Sequence, residues 1–159
     1  MVTAASLKDQ MSQKVRELHE AVSGLSEEKA SQRPAEGEWC AKEVLSHLTG
    51  EEMDTFYADL KRFLEEDTPA LDVIPGQAHF DDERKSWSTQ ALLGAVEKQY
   101  NEIGTFLAGL SDEQLNRKGH VPLLKETPIG EYPTLGQWAG ALINFHLNDH
   151  VQQLQSLAK

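Results

Sequence analysis

Two histidines, His146 and His150, stand four residues apart in the segment Phe145-His146-Leu147-Asn148-Asp149-His150. Four residues turn an α-helix through about 400°, so the two imidazoles point within about 40° of each other, one turn apart. Trp138 precedes His146 by eight residues, and the same Trp-x7-His spacing joins Trp39 to His47. A third imidazole from a facing helix would fill three corners of a metal's coordination sphere. One position would stay open, as in reactive rather than closed structural sites. The competing reading is a pair of core histidines hydrogen-bonded to carbonyls or carboxylates, because the H-x3-H spacing recurs by chance. Leu147 stands where the H-E-x-x-H zinc-protease motif needs its glutamate, so that mechanism is absent.

Around these histidines lie acidic residues with two readings each. Glu51 follows His47 by four residues. It can hold the ring's second nitrogen, ligate directly, or act as a general base, or it can belong to a solvated acidic face. Asp149, beside His150, has the same choices for proton transfer or ligand orientation. His19 falls off its helix's apolar stripe, and His79 and His120 sit in connecting segments; all three read as peripheral. Trp39 and Trp138 read as helix-start packing residues that can also line a pocket. Cys40 reads as a small, half-buried residue at a helix start. No nucleophile elbow, phosphate loop or dinucleotide fingerprint occurs.

Four amphipathic stripes must position this chemistry. Leu7, Met11, Val15, Leu18 and Val22 mark a first helix over about 5–23, stopped by Gly24. A second runs from after Trp39 to about residue 66, striped by Val44, Leu45, Leu48, Phe56, Leu60, Phe63 and Leu64, and ended by Thr68-Pro69. Leu92, Val96, Tyr100, Ile103 and Phe106 stripe a third, about 88–109, opened by Ser88 or Ser86. The fourth begins near Thr134 and carries Leu135, Trp138, Leu142, His146, His150, Leu154 and Leu157. With no β alternation anywhere, the expected fold is all-α, a four-helix bundle in a single domain spanning 1–159.

The two halves repeat. Gly24-Leu25-Ser26-Glu27-Glu28 closes the first helix and Gly109-Leu110-Ser111-Asp112-Glu113 the third, each followed by a loop and Trp-x7-His. His47 and His146 are therefore expected at equivalent depths on helices two and four. Residues 67–87 can span roughly 65 Å when extended, against about 40 Å for helix two. That connection can cross the whole bundle, which gives an up-down-down-up order. Residues 110–133 form an equally long connection, and segments of this size are either functional lids or disordered.

Composition excludes some partners. The 159 residues carry 15 Lys+Arg against 26 Asp+Glu, a net charge of −11, with no basic run. Nucleic acid and anionic membrane surfaces are therefore not expected partners; a small-molecule substrate is. The one cysteine, Cys40, allows no internal disulfide, the N-terminal residues lack a signal-like apolar run, and no 18-residue apolar stretch occurs. A cytoplasmic domain is the expectation.

The segment Gly37-Glu38-Trp39-Cys40-Ala41-Lys42-Glu43-Val44-Leu45-Ser46-His47-Leu48 resembles the W-S-x-x-E-x-L-x-H-L motif of the DinB-like family. His146-Leu147-Asn148-Asp149-His150-Val151-Gln152-Gln153 is similar to that family's H-x3-H-x2-Q ending. The family includes YfiT-like metal-dependent hydrolases and thiol transferases. The resemblance implies an up-down-down-up bundle whose divalent metal, nickel or zinc, is held by His47, His146 and His150. It also implies reactions through a low-molecular-weight thiol or a metal-activated water, and frequent homodimers. Cys40 replaces the family's usual serine or threonine. A non-catalytic metal-binding module and a metal-free interaction bundle are the other readings.

Overall fold

The computed structural model describes residues 2–74 and 76–159, with the backbone alone at Glu52; Met1 and Pro75, the latter within the 67–87 connection, lie outside the described residues. Among these the chain is helical, and extended pairing is limited to the isolated bridges Ala70–His120 and Lys118–Thr134. Helix α1 (Ala4–Ser23) packs along α6 (Thr89–Ala108) with opposite direction, since Met11 lies against Gly104 and His19 bonds Glu97. The second helix runs parallel to α6, as Thr49 bonds Gln99 and Tyr57 meets Phe106. The fourth helix runs parallel to α1, with Asn144 bonded to Gln10 and Asn148 to Lys14. The order is up-down-down-up, as the connection length implied.

The caps explain where the elements begin. Thr3, Ser26, Asp81, Ser88, Ser111 and Thr134 each accept a backbone N–H in the first turn of the helix that follows. The repeated G-L-S-acid-E segment does two jobs. Gly24 and Gly109 close α1 and α6, and Ser26 and Ser111 open the short helices α2 (Glu27–Ser31) and α7 (Asp112–Leu115). The apolar stripes meet in one core in which Leu18, Val44, Leu60, Val96, Ile103 and Leu154 are fully buried.

Two expected helices are not continuous. The second divides into α3 (Ala41–His47) and α4 (Glu51–Glu65), because Gly50 adopts φ +80°, a conformation that breaks the helical ladder. The Gln99 side chain satisfies the break. It accepts from Gly50 N–H at 3.0 Å and Thr49 Oγ1 at 2.9 Å, and it donates to the Gly50 carbonyl at 3.3 Å. The fourth helix divides into α8 (Leu135–Ala141), a π-helical segment Leu142–Leu147 and α9 (Asn148–Leu157).

Among the described residues, both long connections carry local structure. The first holds helix α5 (Asp82–Ser86) and the second a 3-10 turn at Pro122–Leu124. They hold each other: Leu71 N–H donates to the His120 carbonyl and His120 N–H to that of Pro69, both at 2.8 Å. No described helix is long and apolar enough to cross a membrane.

Candidate metal centre

The end of α3, the π segment and the start of α9 bring His47, His146 and His150 together. One ring nitrogen from each lies within 4.8 Å of the others, and the ring centroids are 4.7 to 5.2 Å apart. The helical arithmetic that paired His146 with His150 assumed a regular α-helix. In the structure His146 sits in the π segment, whose wider i→i+5 turn alters the phase of the side chains that follow. Asn144 lies in the same segment and donates to the Gly140 carbonyl at 3.0 Å and to Gln10 on α1 at 3.1 Å.

Two of the rings are oriented by acceptors on their far nitrogens. His47 Nδ1 lies 3.0 Å from the Gln77 carbonyl, and His150 Nδ1 lies 2.9 Å from Gln153 Oε1. A proton on each Nδ1 leaves the lone pair on Nε2, which is how metal-ligating histidines are fixed. Trp39 walls the group, stacked on His150 at 6.3 Å and tilted against His47 at 5.0 Å.

The third ring tests whether a metal fits. His146 Nε2 lies 3.0 Å from His47 Nε2, while His146 Nδ1 is buried without a hydrogen-bond partner. If Nε2 carries the proton and donates to His47, Nδ1 is left with an orphaned lone pair. If Nδ1 carries it, two Nε2 lone pairs face each other, and a cation between them relieves the repulsion. Two nitrogens bound to one ion at about 2.0–2.1 Å sit about 3–3.5 Å apart, so the His47–His146 pair suits a shared divalent metal, with the third ring's nitrogen within 4.8 Å of both.

The electrostatics agree with neutral ligands. Burial pushes His146 down to about 3, and the neighbouring His150 and His47 add to the effect. His150 is also lowered, by burial first and then by His47, against the opposing Gln153 hydrogen bond and Asp149 charge. Neutral imidazole is the form that binds a cation.

Glu51 does not keep the helical phase to His47 that a continuous helix would give. It opens α4 beyond the Gly50 break and is exposed at the edge of a cleft. Of the roles open to Glu51 in the sequence, that of holding the second ring nitrogen of His47 is taken by the Gln77 carbonyl. Asp149 is exposed beside the half-buried His150. His19 pairs with Glu97 at 2.7 Å, and His120 stacks on Tyr132, so neither joins the group. His79 also stays outside it but lines the cleft, and its carbonyl accepts from Ser46 Oγ at 3.0 Å. Cys40 is buried, and burial pushes its thiol up, away from nucleophilic use.

The cleft, about 670 Å³, adjoins the group at His146 and is lined by α4, by Asp72, Val73, Ile74, Gly76, Gln77 and His79, by the 3-10 turn and by the fourth helix. Sequence reasoning missed Gln77, whose segment has no periodicity, and gave no role to Gln153. The latter had a signal: it follows His150 by three residues, close to one helical turn.

A family model described as the DinB superfamily matches residues 10–154. The chain belongs to the DinB superfamily. Among solved structures this DinB chain is similar to YfiT from Bacillus subtilis, described as a probable metal-dependent hydrolase with an unusual four-helix bundle topology. The TM-score is 0.78 at 21% identity, over 97% of this chain and 85% of that one. At that identity the likeness concerns the fold. A search of curated proteins gave no match.

Proposed function

We propose that the protein is a metal-dependent hydrolase of small molecules, with His47, His146 and His150 as the ligands of a divalent ion, zinc or nickel. The observation that carries this reading is the convergence of three buried or half-buried imidazoles, two of them with Nδ1 held by an acceptor. The description of YfiT as a probable metal-dependent hydrolase supports it. A divalent ion so held lowers the pKa of a water or thiol towards neutrality and supplies a nucleophile.

The chain's own groups do the rest. Gln77 and Gln153 keep the two Nδ1 protons in place and so fix which nitrogens face inward. Trp39 covers one side of the rings, and Phe56 and Trp138 give the cleft apolar walls. Glu51, at the cleft's edge, is positioned to take or return a proton, and the charge of Asp149 offsets positive charge at His150. The low-molecular-weight thiol of related enzymes is a second reading, favoured by the room in the cleft of about 670 Å³ for a second reactant.

The test is elemental analysis of tag-free protein, followed by a screen of esters and amides, and of electrophiles with added thiols. About one equivalent of metal and metal-dependent turnover are expected. Less than about a tenth of an equivalent, not restored by Zn²⁺ or Ni²⁺, refutes the reading.

A further inference from the structure

The cleft beside His146 carries a charge pattern that metal ligation does not use. Its acidic lining residues are Glu51, Asp59 and Asp72, and among the described residues no lysine or arginine lines it. Glu51, Thr55 and Asp59 recur every four residues on α4, forming a polar strip about 12 Å long. Facing it are apolar groups, of which Ile74, Leu123 and Phe145 are exposed at 73%, 60% and 63%. Such surface is unfavourable in water and is covered when an apolar ligand enters.

Asp59 is the most withdrawn of the three carboxylates, with a side chain 17% exposed. Its cationic neighbour is poorly shared: Arg62 Nη1 is 3.4 Å away, while Arg62 makes bonds of 2.7 and 3.1 Å to Glu66. Burial pushes the Asp59 carboxyl up, against the weaker pull of Arg62. A half-buried carboxylate with a loosely held partner gains most from a cationic donor brought into the cleft.

We infer that the cleft selects a largely apolar molecule bearing an ammonium or similar cationic hydrogen-bond donor, which Asp59 receives, and disfavours molecules bearing acids. This deepens the hydrolase reading and rests on it only for the bond broken beside His146. Charge selection itself needs no metal.

The probes are octylamine, octanol and octanoate, titrated calorimetrically into the full chain, both chelator-treated and zinc-loaded. On the chelator-treated protein, octylamine binds about tenfold tighter than octanol, and octanoate binds weakest. Asp59→Asn removes the amine's advantage and leaves octanol affinity within about twofold, which reports an intact cleft. Asp59→Glu retains the preference for the amine. Octanoate binding as tightly as octylamine, or an unchanged amine affinity in Asp59→Asn, overturns the inference. Amine selection without zinc binding refutes the metal reading alone; zinc binding without amine selection refutes this inference alone.

Discussion

Gln153→Leu isolates the orientation of one ligand without touching a ligand. Gln153 Oε1 accepts from His150 Nδ1 at 2.9 Å, and leucine keeps much of the side chain's bulk while removing the acceptor. Loss of such a partner weakens metal binding about 10- to 100-fold. The consequence for stability follows from mass action. With metal at about a hundred times the wild-type Kd, binding stabilises the fold by about 2.7 kcal/mol. For a domain of this size that raises Tm by about 5–11 °C. A tenfold weaker Kd at the same metal concentration leaves about 1.4 kcal/mol, or about 3–6 °C. A hundredfold weaker one leaves about 0.4 kcal/mol, near 1–2 °C. Thermal unfolding with and without Zn²⁺, beside a competition titration against a chromophoric chelator, measures both quantities. A wild-type Kd and an undiminished Tm rise in Gln153→Leu would show that His150 is not held for ligation through this bond.

His146→Ala and His150→Ala lose metal while keeping their helical circular dichroism, because the apolar stripes rather than the imidazoles hold the bundle together; full metal content in either contradicts the ligand assignment. Gly50→Ala destabilises by about 1–3 kcal/mol, since φ +80° disfavours a side chain and a Cβ would meet the Arg84 guanidinium; denaturant unfolding with an unchanged midpoint rejects this. Burial pushes the Glu43 carboxyl up, but Arg33 and the Cys40 N–H more than offset this and hold it below the ordinary range. A lowered folded-state pKa gives stability that is present above about pH 4.3 and lost as pH falls through the folded value. Glu43→Gln therefore costs about 1 kcal/mol at pH 7, discounted for the exposure of Arg33, and the deficit shrinks in acid. A deficit that grows on acidification refutes that account.

Much of the fold was legible because burial leaves a periodic trace. The stripe through Leu92, Val96, Tyr100 and Ile103 exists because one face of α6 must leave water, and Ser88 announces where that helix starts. The repeated Gly-Leu-Ser segments could be read for the same reason, since caps are local hydrogen bonds between near neighbours. The break at Gly50 was less legible. Its backbone groups are satisfied by Gln99, 49 residues away, and the apolar spacing on either side carries no sign of that bond.

The order of side chains was enough to establish the helical stripes, the parallel middle helices and which three histidines could meet. Residue type says which faces must be buried, and chain length says how far a connection reaches. How the rings are held came only with the folded arrangement. The π turn sets the pose of His146, a carbonyl from an aperiodic segment takes His47 Nδ1, and the carboxylates of α4 meet apolar walls contributed by distant residues. Backbone carbonyls are the same in every residue, so nothing in a string of side chains can say which one a distant imidazole will find.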